Sequence, residues 1–398
     1  MINALFIVML LELFIGGGGR LIQFGPLTLR MVLFGTCLIV FGFAVYLRLR
    51  RLDGQRLAFG LLLFYLIVHI FGLIVGTVNA ADPADMFPEF QHSLYWLAAP
   101  FFAMVLQSPI MVQRASVIVR VAGVILALAY FMVLALLAVG KVSILEILPL
   151  LHDSGEVIVR GDNFLFYKGF LYLGISVVFF IGLRGRFSTF FAGFVWVALV
   201  LTLTRGFLLS TSVAVLLMLA AQGRRLAATI ALVMIMFAAF VIVIYVPSQK
   251  DASYSAQRSE STDQRTRDLL TIVDNMTPES FLIGEGYGAL ENDRQDIENS
   301  FLWAQWKLGV MGPVFWLTPL LLCGYYYLKI PNRRKHRAAT AFFFGTVLVY
   351  IETLTNPFLN NPIGLSYVLV AIFSLRTLCK QSRLEGGLSR ELATSIAM

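Results

Sequence analysis

Seven residues of this chain combine charged or amide chemistry with a place at the edge of an apolar segment: Arg160, Lys168, Arg205, Arg265, Arg267, Glu298 and Asn299. Arg205 stands in "TLTRGFLLSTS", where only a few residues join two apolar runs. It must therefore lie at the rim of a membrane bundle. A charge at that depth is costly, so it either points into a polar cavity or snorkels to the interface. Gly206 is expected to permit a sharp reversal there.

The stretch "STDQRTRDLLTIVDNM" at 261–276 holds two more cations. Ser261 with Gln264 resembles a capping box. At about 100° per residue, Leu269, Ile272, Val273 and Met276 share one helix face. Arg265 lies near that face and Arg267 on the opposite side, so Arg265 is the arginine expected to turn inward. A salt bridge to a loop acid accounts for Arg265 equally well. In "HDSGEVIVRGDNFLFYKG" at 152–169, Arg160 and Lys168 flank Asp162 and Asn163. They suit an anionic headgroup or an interfacial anchor, and anchoring is the preferred reading for Lys168. Glu298 and Asn299 open the apolar run "SFLWAQWKLGVMGPVFW". On its own, Glu298 reads as a helix-start acid favoured by the macrodipole.

The elements that position these groups follow from composition. The chain is 59% hydrophobic and 14% charged, close to half the charge of a soluble domain. Apolar stretches of about 20 residues recur throughout, each able to cross a bilayer as a helix. Twelve spans are expected: 2–18, 25–47, 57–79, 94–108, 116–139, 164–183, 187–203, 207–222, 230–247, 301–328, 338–355 and 363–378. The fold class is all-α, a polytopic membrane bundle. It divides into spans one to nine (1–247), an external loop with short amphipathic helices (248–300), spans ten to twelve (301–378) and a polar tail (379–398).

Every second loop is basic, including "RLRRLDGQR", "RGR", "GRR" and "KIPNRRKHR", whereas "AADPADMFPEF" at 80–90 is acidic. The positive-inside rule then puts both termini in the cytoplasm. The same clustering argues against nucleic acid as the partner of the +8 net charge. No cleavable signal peptide is expected. No disulfide is expected of Cys37, Cys323 and Cys379, two of which fall within spans.

Other polar positions carry less. His69 and Lys307 intrude into spans, and structural roles suit both. "GEGYG" at 284–288 has no strand before it and no Lys-Ser/Thr helix after it, so it reads as a turn rather than a phosphate cradle. The four histidines are scattered and no metal-ligand spacing appears. Glu291, Asp293, Asp296 and Glu298 are a weak cation set.

Together, Arg205-Gly206, the arginine-bearing loop helix, "LIGEGYG" and "ENSFLWAQWKLGVMG" carry a resemblance. The sequence resembles the O-antigen ligase and O-antigen polymerase superfamily of bacterial membrane glycosyltransferases. The likeness covers mainly 200–315. Gly284 and Gly286 match the family's glycine turn. Asn299, Leu302, Gly309 and Gly312 match its "HNxxLxxxxxxGxxG" motif. One position departs: Glu298 stands where the family commonly has histidine, which favours a polymerase or an uncharacterised branch over a ligase.

The resemblance implies an undecaprenyl diphosphate-linked glycan as donor and a glycan or lipid-linked acceptor. It implies a reaction at the periplasmic face of the inner membrane, without metal or cofactor. Membrane lipids and a polysaccharide chain-length regulator are the further partners it suggests. It casts Arg205 and Arg265 as the cations facing the leaving diphosphate. Glu298 becomes the proton acceptor, and Asn299 orients a sugar or the helix start. Arg267, Arg160 and Lys168 become substrate-binding candidates. Gly309 and Gly312 are expected to let span ten pack closely on a neighbour. A lipid or sugar transporter is the rival from another class, but no inverted repeat is seen.

Overall fold

The computed structural model describes residues 2–17, 22–24, 27–47, 55–140, 157–160, 164–224, 266–267, 269–290, 297, 299–331 and 336–396. The expected ninth span at 230–247, the Ser261–Gln264 cap, Arg265, Glu298 and the acids at 291–296 lie outside them.

The described chain is almost wholly helical. In order come α1 (Ile2–Ile15), α2 (Leu29–Tyr46), α3 (Arg56–Val78), α4 (Pro83–Ser93), α5 (Ala99–Val105) and α6 (Pro109–Ala138). They are followed by α7 (Leu171–Leu183), α8 (Ser188–Leu201), α9 (Arg205–Ala221), α10 (Pro278–Ile283) and α11 (Ser300–Leu308). Then come α12 (Met311–Lys329), α13 (Arg337–Glu352) and α14 (Pro362–Ile396). Two 3-10 turns (Leu94–Ala98 and Lys168–Phe170), a helical stretch over 269–275 and two small antiparallel hairpins accompany them. One pairs β1 (Gln23–Phe24) with β2 (Leu27–Thr28), the other β3 (Val157–Arg160) with β4 (Phe164–Tyr167).

Helices α2, α3 and α6 and residues Pro362–Glu385 of α14 are long and apolar enough to cross a membrane. Shorter apolar helices run over Ile2–Ile15, Lys168–Leu183, Ser188–Leu201 and Arg205–Ala221. With so many apolar helices, the chain is a multi-pass membrane protein. The apolar window of α14 is 83% buried and that of α2 only 22%, so α14 lies in the bundle interior and α2 at its rim. Ile39, Phe43, Leu63 and Met132 are exposed. In hydrocarbon such exposure costs little, since lipid tails are as apolar as leucine. In the interior, Phe179 packs edge-on to Phe342 and Tyr367, joining α7, α13 and α14.

Basic residues gather at one end of the bundle. Arg337 donates to the Leu183 carbonyl at 3.5 Å. Burial, and then the neighbouring charges of Arg184 and Arg337, lower the pKa of Arg224. Three of the basic loops therefore meet. The opposite end holds the starts of α2, α7, α9, α11 and α14 and the end of α13.

Four local expectations are corrected. The acidic segment at 80–90 is not a loop: α4 starts at Pro83, with Asp82 accepting from the Ala84 N–H at 2.8 Å as its cap. Within 269–276, Ile272 is buried, whereas Leu269 and Val273 are about half exposed, so the expected apolar face is only partly covered. Span ten is not one helix. It ends at Leu308 and restarts at Met311, with Gly309 left-handed at φ 58°. Gly312 lies against the Ala304 carbonyl. In an unbroken helix those residues would be about 12 Å apart. Gly309 and Gly312 therefore serve a sharp bend, and Gly309 also lies hard against the backbone of Leu282 and Ile283 in α10. Gly206, finally, lies within helix α9 and does not make the reversal before it.

Candidate functional site

The reversal before Arg205 is made by Thr202, Leu203 and Thr204. Leu203 takes the left-handed conformation, φ 51°. The Thr202 hydroxyl donates to the Leu199 carbonyl at 2.7 Å, and the Thr204 hydroxyl to the Thr202 carbonyl at 3.2 Å. Tyr130 of α6 ties down the end of α8 by donating to the Leu201 carbonyl at 2.9 Å. Arg205 and Gly206 then form the first turn of α9. Gly206 is thus not the reversal. Its missing side chain makes room for something else: a Cβ there would stand 2.7 Å from Oε1 of Glu352. Arg205 itself is exposed, so its guanidinium leaves the packed bundle.

Glu352 ends α13 and is 1% exposed. Its Oε1 accepts from Asn356 Nδ2 at 2.7 Å, and its carbonyl accepts from the N–H groups of Thr355 and Asn356 at 3.0 Å. This compact loop also packs on α9, with Phe358 and Phe207 ring centroids 5.8 Å apart. The carbonyl of Thr353 accepts from the Ser300 N–H at 3.2 Å. The start of α11 is therefore stitched to the loop that carries Glu352. Asn299 caps α11, its Oδ1 accepting from the N–H groups of Phe301 at 2.9 Å and Leu302 at 3.1 Å. Two distant motif segments, at 205–206 and 299–300, thus meet around residues 352–356.

The other candidates lie elsewhere. Arg267 is exposed on the helical stretch that leads to 275. Arg160 pairs with Phe164 in the β3–β4 hairpin. Lys168 is half-buried and opens the 3-10 turn Lys168–Phe170. Tyr167 beside it donates to the Ile15 carbonyl at 2.6 Å, which fixes the hairpin on the end of α1. Glu298 and Arg265 fall outside the described residues.

The glycine turn at 284–288 is clamped from both sides. Against α11, Glu285 N–H donates to the Trp306 carbonyl at 2.8 Å and Gly286 N–H to the Lys307 carbonyl at 3.0 Å. Against α3, Tyr287 N–H donates to the Gly72 carbonyl at 3.1 Å, and Tyr287 Oη lies 2.7 Å from His69 Nδ1. Gly286, at φ 85°, lies against the backbone of Gly76. Below the turn, Lys307 Nζ meets Glu89 Oε1 at 2.7 Å and also reaches the Ala289 carbonyl, while Glu89 Oε2 accepts from Gly288 N–H at 2.9 Å. His69 and Lys307 are therefore fasteners of this turn.

Sequence reading missed three buried charges, Glu89, Glu352 and Arg30. Arg30 pairs with the partly buried Glu12 at 2.9 Å and also donates to the Gly17 carbonyl. The available signal was simple: a charge inside an apolar run is costly and needs a reason. Among the described residues, no group of three or more His, Cys, Asp or Glu is arranged to hold a metal.

No protein-family model matches the chain. An O-antigen polymerase of Shigella flexneri is 26% identical to it over 400 residues, a span of 97% of this chain and 99% of that protein.

Proposed function

We propose that this chain, a relative of the O-antigen polymerase and ligase superfamily, joins lipid-linked oligosaccharide repeat units into a polymer at the periplasmic face of the inner membrane. Similarity along nearly its whole length to a protein named as an O-antigen polymerase supports the polymerase reading over a ligase. Glu298 in place of the family's usual histidine points the same way. The observation that carries the reading is the meeting, on one loop, of the first turn of α9, which bears Arg205, and the capped start of α11.

In this reading the donor is a glycan on undecaprenyl diphosphate. An acceptor sugar hydroxyl attacks the anomeric carbon, and the carbon–oxygen bond to the diphosphate breaks. The electron pair leaves with the lipid diphosphate, and the hydroxyl proton passes to the Glu298 carboxylate. Negative charge develops on the leaving group. A guanidinium suits it because its planar fork holds two phosphate oxygens at once. Arg205 takes this task with Arg265, so the step needs no metal. Arg267, Arg160 and Lys168 are assigned to substrate binding away from the bond that breaks. Asn299 fixes the helix start behind Glu298. A chain-length regulator would act on polymer size rather than on this step.

The test is the glycan profile of cells lacking the gene. Caps of a single repeat on lipid A-core are expected. Long polymer left on the lipid carrier would indicate a ligase instead, and an unchanged profile would leave a transporter or structural role. Restoring the gene as Glu298→Gln should lose about 10²-fold or more in rate, because the amide cannot accept a proton. Turnover by the purified protein should survive a chelator. Inhibition by EDTA, reversed by magnesium, would count against the arginine-only account.

A further inference from the structure

We propose that Glu352, although it lies far along the chain from the motif residues, is a positioning residue of this reaction; the inference rests on the reading above. Its carboxylate sets the first turn of α9, and so the direction of the Arg205 guanidinium.

Burying a carboxylate is costly unless fixed dipoles or charges compensate it. Glu352 is 1% exposed. It lies against Gly206, within the first turn of α9. The opening N–H groups of a helix have no partner within it, and the helix dipole is positive there. Thr204, the cap residue, makes no side-chain cap bond. The Glu352 carboxylate thus stands beside a helix start whose own cap residue makes no side-chain bond to it, where negative charge is favoured. The same Oε1 accepts from Asn356, which ties the 352–356 loop to that turn. The next residue, Thr353, holds the Ser300 N–H of α11. The loop that carries this carboxylate is therefore the junction of α9 and α11, the two segments beside the proposed reacting groups.

The geometry also explains which side of the arginine the acid occupies. Arg205 is exposed and Glu352 is buried. The negative charge lies behind the guanidinium, toward the bundle interior. There it can hold the arginine's helix turn without standing where an anionic substrate would bind. Supporting groups locked in this way give a functional side chain its fixed aim. Gly206 is part of the device, because any side chain at that position meets the carboxylate.

Two variants test this in a purified assay with lipid-linked repeat units, with melting temperature recorded alongside. Glu352→Gln keeps the shape and the acceptor for Asn356 but removes the charge. It should lower kcat about tenfold or more, the size of effect seen when supporting groups are removed from metal sites. KM for the donor and the melting temperature should change little. Full kcat in Glu352→Gln overturns the proposal.

The second variant decides the matter if the first fails to accumulate. Gly206→Ala pushes a methyl group into the carboxylate. Adding Glu352→Asp withdraws the carboxylate by one methylene and keeps its charge. The double variant should be more active than Gly206→Ala alone. Equal or lower activity in the double variant overturns the proposal. Arg205→Ala in the same assay separates the two levels of inference. If it is inactive while Glu352→Gln is unaffected, only the role of Glu352 falls. If it retains full turnover, the proposed function falls, and this inference with it.

Discussion

The glycine turn at 284–288 and the first turn of α9 both bring a glycine hard against another segment, and both have a carboxylate beside them. In the first, Gly286 meets backbone, the acid is Glu89, and the cation is Lys307, closed inside the protein with it. In the second, Gly206 meets only the far end of a side chain, the acid is Glu352, and the cation, Arg205, is left outside. A buried ion pair satisfied by further hydrogen bonds holds segments together but has no charge left to offer a ligand. An exposed arginine on a turn backed by a buried acid keeps its fork available. The difference separates scaffold from site more sharply than motif membership does, since both segments belong to the same motif set.

The largest expected effect is on the closed side. Lys307→Met leaves Glu89 buried without its ammonium partner, and should cost about 3–5 kcal/mol. Adding Glu89→Gln should recover much of that loss. Melting in detergent and the amount of protein in the membrane are the measurements. A single variant that melts like the parent would remove the clamp from this account.

Gly286→Ala comes next. It forces a side chain onto the Gly76 backbone at a left-handed φ of 85°. Backbone strain of this kind costs about 1–3 kcal/mol before any steric clash is counted. Gly206→Ala should cost less stability, because its residue is in an ordinary helical turn and its neighbour is a movable carboxylate. If the two alanines melt alike, the contrast between the regions is lost.

The smallest effect on stability is expected at Arg205→Lys. The side chain is exposed, so the melting curve should move by no more than about 0.5 kcal/mol. Activity should nevertheless fall steeply, because lysine keeps the charge but not the bidentate fork. Unchanged polymer output with Arg205→Lys would put the diphosphate elsewhere.

Membrane helices are legible in sequence because the bilayer is one uniform solvent. A residue's cost in it depends mostly on its own polarity, so runs of apolar residues report spans directly. The same logic exposed His69 and Lys307, and should have exposed Glu12, Arg30 and Glu352. Partners were not legible. Nothing local in "YIETLTNP" points to Gly206, and nothing in "FPEFQHS" points to Lys307. Glycine was the most misleading residue. Gly206 looked like a turn because glycine permits one, yet Leu203 takes the left-handed turn and Gly206 is helical. Gly309 and Gly312 looked like a packing face within one continuous span, yet they mark a break, with Gly309 against the α10 backbone.

The sequence by itself determined that this is a helical, multi-pass membrane protein, and which motif residues were worth following. It also determined how α11 begins, because Asn299 caps its own following N–H groups within three residues. Only the tertiary structure decided which charges are fasteners and which is left facing outward. That division depends on distances between residues far apart in the chain, such as Glu89 with Lys307 and Glu352 with Gly206. Burial multiplies the electrostatic weight of each such pairing, and burial is a property of the packed bundle rather than of any one segment.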